Sequence, residues 1–393
     1  MRTFSITERR NRLVFRHFPR ALGSTPITAI TTALVGLHAT DPATPYLSLW
    51  ARYPGFVTGD LDAELYRKRS MLRHLAMRRT LWLINAEDLA IVQPAASDRV
   101  AANERRRLIA DAQKAGAAAD GERWLDRACA AVLQHLGEHG PATSTELRAA
   151  LPELAGVYDP APGKPWGGMV PLAPRVLTVL SSRGDIVRGP NDGSWTTSRS
   201  RWATIVSWLH ENAEPVPADA AWAALTRRWL RTFGPATVED IKWWFGTTVT
   251  AVRKALADID AVAVDLHGNP GHVLPDDLEP EPDVPQQCAL LPGLDATTMG
   301  WYQRDWYVGE HRDQVFDSNG NAGPTAWWNG RVVGGWYQDA DAQVQLQLLE
   351  DPGRDARRAL QRRAEELTAW LDGVRISPRF PSKLSKAGAS SAS

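Results

Sequence analysis

Three polar residues in one short stretch have side chains that could handle a water molecule. His38, Thr40 and Asp41 close an apolar, threonine-rich run over residues 27–37 and are followed directly by Pro42. A neutral imidazole, whose ordinary pKa is about 6.5, can hold or deprotonate a water, a threonine hydroxyl can orient one, and an aspartate can supply a carboxylate. The apolar run predicts a packed helix that ends at the proline, so we expect the triplet at a surface.

Other catalytic patterns in the sequence are incomplete. His311-Arg312-Asp313 is similar to a kinase catalytic loop, but Ser318 stands where that loop requires asparagine. Gly163-Lys164 lacks the earlier glycine of a phosphate-binding P-loop. These segments therefore predict neither a kinase nor a P-loop enzyme.

Metal-binding patterns are also incomplete. His135 and His139 are one helical turn apart, but Gly137 interrupts the helix and no glutamate follows the first histidine, so we expect a surface pair. Cys129 and Cys288 fit no metal or redox spacing, which favours ordinary reduced thiols. The sequence predicts no metal.

Clusters of basic residues are the second functional candidate. One cluster comprises Arg67, Lys68, Arg69, Arg73, Arg78 and Arg79, and another comprises Arg227, Arg228 and Arg231 near Trp222 and Trp229. Basic residues beside aromatic rings can pair with phosphates and stack on bases. The alternative is that the tryptophans are core residues and the arginines coat helices. We favour DNA, because basic patches recur although the formal net charge of the chain is zero.

The N-terminal region leaves two interpretations open. Residues 8–20 form a basic arm with interleaved aromatic residues, which fits either a solvated first helix or a DNA contact. The first residues lack the apolar core of a signal peptide, and no apolar run is long enough to span a membrane. We therefore expect a cytoplasmic protein at the nucleoid.

The elements around the triplet predict a winged helix-turn-helix. Two short helices over residues 26–50 meet near Pro42, and Asp60 can cap a basic helix that runs to Leu75. Residues 77–84 then alternate polar and apolar, like a strand. This is the element order of a winged helix-turn-helix. A helical connector is expected over residues 99–122.

A repeated segment predicts two further winged units. Gly140-Pro141-Ala142-Thr143 recurs as Gly234-Pro235-Ala236-Thr237, and an acid follows three residues after each threonine, at Glu146 and Asp240. This spacing predicts a capping box at each helix start. The later elements are expected as helices over 175–184 and 248–259, a hairpin-like wing over 185–197 and a strand over 261–266.

The remaining sequence predicts a β-rich region. Residues 275–287 form an acidic, proline-rich linker. Asn329-Gly330 predicts a type I′ hairpin, and Arg331 beside it joins the predicted DNA-binding residues. Residues 355–371 predict a charged amphipathic helix, and the tail from Ser382 is expected to be disordered.

The predicted fold class is α+β, with three tandem winged helix-turn-helix units followed by a small β-rich domain and a C-terminal helix. The predicted boundaries are 1–122 for the first winged helix with its arm and connector, 123–215 for the second, 216–283 for the third with its linker, 284–381 for the β-rich domain with its helix, and 382–393 for the tail.

The order of these motifs resembles the winged-helix DNA glycosylases typified by AlkZ and YcaQ over nearly the whole chain. The resemblance is carried by the three winged units, by Leu37-His38-Ala39-Thr40, and by short boxes over residues 77–81, 290–295 and 330–334. It implies a monofunctional enzyme that removes N-alkylated purines, can unhook interstrand crosslinks and needs no cofactor. In that family a Gln-x-Gln or Gln-x-Asp box positions a water against the sugar C1′. His38 and Thr40 stand at the matching positions here.

The resemblance therefore implies that His38 and Thr40 are catalytic, with Asp41 beside them. The implied partner is double-stranded DNA carrying alkylated bases, bound by a monomer. A cationic N-alkyl purine is a good leaving group, so a His/Thr pair could suffice. Two alternatives stay open: a non-catalytic winged-helix DNA-binding protein, such as a transcriptional regulator, and a protein-interaction scaffold.

Overall fold

Helices and strands are mixed along the chain, which confirms the predicted α+β class. The computed structural model describes residues 1–18, 25–165, 167–209 and 214–386. Contacts group the chain into two compact units. We call residues 1–61 with 222–393 unit 1, and residues 62–221 unit 2. This division runs through the segment predicted as the first winged helix, residues 1–122.

The N-terminal part of unit 1 is helical. Its elements are α1 (Ile6–His17), α2 (Ile27–Ala33), the short strand β1 (Leu37–His38), α3 (Thr44–Arg52) and α4 (Thr58–Asp62). The Ser5 hydroxyl caps α1 by accepting the Glu8 N–H at 3.1 Å. The helices α2 and α3 lie on either side of Pro42, as predicted.

Unit 2 combines antiparallel strand pairs with a helical core. Its elements are β2 (Met71–Leu75), β3 (Leu81–Asn85), α5 (Leu89–Val92), α6 (Asp98–Lys114), α7 (Gly121–His139), α8 (Ser144–Ala150), β4 (Val157–Tyr158), β5 (Val170–Pro171), α9 (Ala173–Arg183), β6 (Ile186–Asn191), β7 (Ser200–Thr204) and α10 (Ile205–Trp208). Apolar faces of α6, α7 and α9 form its core, where residues such as Leu108, Leu125 and Leu177 are buried. The helix α6 confirms the predicted connector, although it ends at Lys114.

The C-terminal part of unit 1 starts with helices and becomes β-rich. Its elements are α11 (Ala218–Phe233, whose first turn belongs to unit 2), α12 (Val238–Phe245), α13 (Val249–Asp258), β8 (Val262–Leu266), β9 (Asn269–Val273), β10 (Cys288–Leu291), α14 (Asp305–Val308), α15 (Arg312–Val315), β11 (Thr325–Trp328), β12 (Arg331–Gln338), β13 (Val344–Leu348) and α16 (Arg354–Leu371). Strands β10 to β13 form an antiparallel sheet in sequence order.

Both predicted capping boxes are confirmed. Glu146 accepts the Thr143 N–H at 2.7 Å, and the Thr143 hydroxyl accepts the Glu146 N–H at 3.2 Å. Asp240 and Thr237 make the same pair of bonds at 3.0 and 3.1 Å. Each box satisfies N–H groups at a helix start that have no acceptor inside the helix.

The hairpin predictions are confirmed with one shift. Asn329 and Gly330 have φ angles of 47° and 77°, as a type I′ turn requires, and they join β11 to β12. The predicted wing after residue 185 is the β6–β7 hairpin, but its return strand begins at Ser200 and not at residue 194. The predicted helices over 175–184, 248–259 and 355–371 and the strand over 261–266 are present as α9, α13, α16 and β8.

The basic helix predicted from Asp60 to Leu75 is wrong in its second half. Helical structure ends after residues 63–67, and Arg69 adopts a positive φ of 56°. Met71–Leu75 is the strand β2, which pairs with Leu81–Asn85. Met71 to His74 are all buried, so both faces of this strand are covered and its sequence does not alternate.

The acidic segment over residues 275–287 has no helix or strand, but it is not a free linker. Asp277 is 7% exposed and accepts hydrogen bonds from Arg12 at 2.8 Å and Arg16 at 2.6 Å. Glu281 accepts a further bond from Arg16 at 2.6 Å. The basic arm over residues 8–20 is therefore α1 packed inside unit 1, with Arg12 only 1% exposed, and not a solvated helix. Arg20 lies outside the described residues.

The tail predicted to be disordered from Ser382 is ordered in its described part. Ser382 and Leu384 are 1% and 3% exposed. Burial of one leucine anchors a segment whose composition is otherwise polar. The rest of the predicted tail, from residue 387, lies outside the described residues.

Candidate active site

His38, Thr40 and Asp41 lie in a turn and not at a helix end, and the predicted surface position is wrong for His38 and Asp41, which are buried. The helix α2 stops at Ala33, because Val35 and Gly36 adopt positive φ angles of 56° and 105° that a right-handed helix excludes. The chain then forms β1 and turns into α3. We call residues 37–41 the box.

His38 is held inside the box. It is 3% exposed, and its Nδ1 accepts the backbone N–H of Thr40 at 3.4 Å. Only a ring without a proton on Nδ1 can accept this bond, so the bond favours a neutral imidazole with its proton on Nε2.

Asp41 points inward and ties two chain segments together. It is 8% exposed. Its Oδ1 accepts the Ala43 N–H at 3.1 Å, just before α3, and its Oδ2 accepts the Arg379 N–H at 3.0 Å. The half-buried Thr40 is held in the same way, since its carbonyl oxygen accepts the Arg379 guanidinium at 3.3 Å.

A buried ion pair supports α3, the helix that follows the box. The Arg52 guanidinium donates two bonds to the Asp295 carboxylate, at 2.7 and 2.9 Å, and both side chains are 0% exposed. Ser48 donates a third bond to Asp295 at 2.6 Å. Burial acts to raise the pKa of Asp295, but the Arg52 charge and these donated bonds lower it below its ordinary value. The segment over residues 290–295 thus anchors the helix next to the candidate site.

His17 extends this network in a neutral state. Its Nε2 donates to the Thr232 carbonyl at 3.2 Å, and its Nδ1 accepts from the Thr297 hydroxyl at 2.8 Å. The Thr297 oxygen in turn accepts a bond from Arg52 at 2.8 Å. Complete burial, and then the charge of Arg52, lower the pKa of His17 to about 3. His17 is therefore a structural partner of Arg52.

The predicted basic residues of unit 2 divide into exposed and engaged groups. Arg67 and Lys68 are exposed, and Lys68 pairs with Glu64 at 2.6 Å. Arg69 lies with its guanidinium 4.4 Å from the ring centre of Trp208 and donates to the Trp208 carbonyl at 3.0 Å.

Arg73, Arg78 and Arg79 do not form one continuous exposed patch. Arg73 is 8% exposed and donates to the Gly189 carbonyl at 2.9 Å, so it links β2 to the β6–β7 hairpin. Arg78 is half-buried. Arg79 is exposed but pairs with the buried carboxylate of Glu104 at 2.6 Å.

The predicted basic residues of unit 1 include two exposed arginines beside a tryptophan core, Arg227 and Arg231, and Arg231 pairs with Asp276 at 2.7 Å. Arg227 is exposed and Arg228 is half-buried. Trp229 is 0% exposed, and its ring stacks on that of Phe233 with 5.1 Å between ring centroids. This tryptophan is therefore a core residue, as the alternative interpretation expected. Arg331 pairs with Glu350 at 2.6 Å.

Within the described ranges, no group of three metal-ligating side chains is close enough to hold an ion. His135 and His139 stack on each other at 4.5 Å. No described helix is both long and apolar enough to cross a membrane.

Sequence reasoning missed three residues that build the site, namely Arg52, Asp295 and Arg379. A charged residue inside the apolar helix α3 was a usable signal for Arg52, since a buried charge requires a partner. Asp295 closes a predicted box and was not assigned a role. Arg379 gave no signal, because its contacts join residues 338 positions apart.

Comparison with known proteins identifies relatives. The family described as DNA glycosylase AlkZ-like matches residues 31–370. An interstrand DNA cross-link repair glycosylase of Streptomyces sahachiroi is 29% identical over 209 residues, which cover 51% of this chain and 55% of that protein. The sequence match thus spans about half of the relative's length. The solved structure of the Streptomyces sahachiroi DNA glycosylase AlkZ is similar with a TM-score of 0.73 at 20% identity, over 96% of this chain and 99% of that one. This likeness shows a shared fold.

Proposed function

The chain belongs to the AlkZ-like DNA glycosylase family, and from this premise we propose that it hydrolyses the N-glycosidic bond of alkylated purine nucleotides in duplex DNA. The observation that carries the proposal is the box. It contains a buried imidazole, His38, and a half-buried threonine, Thr40, the two residues that the family resemblance matches to its water-positioning pair. A helix locked by a buried ion pair supports them. Rigid support of this kind is what a positioned reaction needs.

The proposed reaction is attack of a water on the sugar. The water oxygen bonds to C1′ as the bond from C1′ to the base nitrogen breaks, and the bonding electrons neutralise the alkylated base. The proton of the water leaves to solvent. Because Nδ1 of His38 accepts the Thr40 N–H, Nε2 donates to the water, and the Thr40 hydroxyl orients it. His38 thus positions the nucleophile more than it deprotonates it. Asp41 holds the box in shape and places negative charge near the cationic transition state.

We infer that DNA is gripped by three winged helices. The second unit comprises α7, α8, α9 and the β6–β7 wing, and the third comprises α11, α12, α13 and the β8–β9 wing. In both units the repeated alanine forms a bridge to the wing, from Ala142 to Trp202 and from Ala236 to His272. The matching bridges support a common unit, and the first unit would be built around α2 and α3. The small sheet β10–β13 with α16 completes the proposed arrangement.

Phosphate contacts are proposed for the basic residues that the fold leaves accessible. These are Arg67, Lys68 and Arg227, which are exposed, and Arg78 and Arg228, which are half-buried; Lys68 also pairs with Glu64 one helical turn away. Arg69, Arg73, Arg79 and Arg331 bind carbonyls or carboxylates of other segments, so we expect them to shape the interface more than to bind DNA directly. Their internal partners lower the gain from a phosphate contact.

The name of the Streptomyces sahachiroi relative suggests a second substrate. That protein is an interstrand DNA cross-link repair glycosylase. A crosslink that joins two purines through nitrogen also carries a cationic, good leaving base. We propose that this chain, acting as a monomer at the nucleoid, releases such crosslinks by the same hydrolysis.

The test is release of free base from duplex DNA that carries N7-methylguanine, in buffer with EDTA. We expect release by the wild type and a loss of roughly 100-fold for His38→Ala, because the positioned water is lost. His139→Ala is the matched control, since His139 is an exposed histidine on α7, and its rate should equal that of the wild type. Equal release by His38→Ala and the wild type would refute the proposed catalytic role.

A further inference from the structure

A segment after the last helix is fastened to the sheet. We call residues 374–386 the strap. The Gln338 side chain holds its start, since Nε2 donates to the Val374 carbonyl at 3.0 Å and Oε1 accepts the Ile376 N–H at 2.8 Å. The region matched by the family ends at residue 370, so the strap lies beyond it.

The far end of the strap is fitted to two glycines. A Cβ atom at Gly323 would collide with Ser382, and one at Gly335 would collide with Leu384. Gly335 lies in β12, so the strap packs directly on the central sheet of unit 1. Because the strap is fixed at both ends, its middle has a defined position.

The middle of the strap reaches the box. The Arg379 N–H donates to Asp41, and the Arg379 guanidinium donates to the carbonyl of Thr40. Arg379 is nevertheless an exposed residue. Among the described residues, the Thr40 carbonyl is the one acceptor for its guanidinium. A guanidinium has five N–H donors, so most of them remain for another acceptor.

We propose that Arg379 binds a DNA phosphate next to the nucleotide whose sugar lies at the box. This assignment rests on the proposed function, because it needs DNA at the box. The phosphates that flank a nucleotide are bonded to its sugar, and so they lie close to any group that contacts C1′. The carboxylate of Asp41 would repel such a phosphate, and the positive charge of Arg379 beside it offsets that repulsion. A guanidinium also matches phosphate geometry with two parallel hydrogen bonds.

The strap offers a matched comparison for this arginine. Lys383 is also exposed and positively charged, but it makes no described contact with the box. The neighbouring Arg375 is bound to the carbonyls of Asp339 and Ala340. Arg379 is thus the strap cation that the fold holds at Thr40.

The experiment measures binding of the full chain to an undamaged fluorescent duplex by anisotropy over a series of salt concentrations. Arg379→Ala should raise Kd several-fold and lower the slope of log Kd against log salt by about 1, the value for one lost phosphate contact. Arg379→Lys should keep the slope, because the charge remains. Lys383→Ala should leave the slope unchanged. An unchanged slope for Arg379→Ala, or equal losses for Arg379→Ala and Lys383→Ala, would overturn the proposal.

Two further readings separate this proposal from the proposed function. The backbone bond from Arg379 to Asp41 survives any side-chain change, so the melting temperature of Arg379→Ala should match that of the wild type. Base release from a duplex with N7-methylguanine is then measured with protein in excess. If the wild type releases no base, the glycosylase proposal fails, and the salt slope still decides the phosphate contact. If the wild type releases base and the slope of Arg379→Ala is unchanged, the Arg379 assignment alone fails.

Discussion

The capping boxes of α8 and α12 have the same bonds but different surroundings. At α8 the threonine is half-buried, the glutamate is exposed, and Arg201 pairs with that glutamate at 3.0 Å. At α12, Thr237 and Asp240 are 6% and 0% exposed. The second oxygen of Asp240 also accepts the N–H groups of Tyr302 and Gln303, each at 2.9 Å.

The difference shows that one local motif can contribute different amounts to the stability of the fold, depending on its burial. A cap on an exposed helix is worth about 1 kcal/mol, because water replaces it when it is lost. A buried cap cannot be replaced by water, and each orphaned N–H then costs about 1–3 kcal/mol. Asp240 serves two segments, the start of α12 and the loop before α14, so its loss would affect both. The sequence determines the motif, whereas the tertiary fold determines its energetic weight.

The largest effect is expected for Asp240→Ala. The substitution removes a fully buried carboxylate that accepts the N–H groups of Thr237, Tyr302 and Gln303, so the free energy of unfolding should fall by about 3 kcal/mol or more. Urea unfolding would measure it. Asp258→Ala is the control, because the exposed Asp258 pairs with Lys254 along one helix face, and its cost should stay within about 0.5 kcal/mol. Similar losses for both variants would contradict the comparison.

A middle-sized effect is expected from removing the two cap hydroxyls. Thr237→Ala should cost about 2 kcal/mol, since its hydroxyl also donates to Asp240 at 2.8 Å in a buried site. Thr143→Ala should cost about 1 kcal/mol. Both can be measured by the same urea titrations. Equal costs would show that burial of the cap adds nothing.

The smallest effect is expected at Glu146 and depends on pH. The bond from the Thr143 backbone N–H lowers the pKa of Glu146, burial opposes it, and the Thr143 hydroxyl and Arg201 lower the pKa further. A carboxyl with a lowered pKa stabilises the fold above its unfolded pKa and stops doing so as pH falls through its folded pKa. Glu146→Gln should therefore melt below the wild type at pH 7, and the two melting temperatures should converge as the pH falls through the folded-state pKa of Glu146. A gap that persists in acid would exclude the ionised carboxylate as its source.

The elements that could be predicted from the sequence are those specified by residues close together in the chain. The capping boxes, the Asn329-Gly330 turn and α16 depend on residues only a few positions apart, so the sequence contains their causes. The strand at Met71–Leu75 was missed because burial of both faces erased its alternation. The triplet was found from residue types and the family resemblance, but its support was not. Arg52 and Asp295 are 243 residues apart, and a single sequence carries no record of that pairing.

The clamp of Arg12 and Arg16 on Asp277 has a consequence for how the chain is made. Arg12 and Arg16 are 265 and 261 residues away from Asp277, so α1 is synthesised long before its acidic partner. At ribosomal rates this delay lasts between roughly ten and fifty seconds. Unit 2 is continuous in sequence and is complete as soon as residue 221 has been made. The nascent chain therefore carries a folded middle while its basic first helix still lacks its acidic partners, and unit 1 closes last.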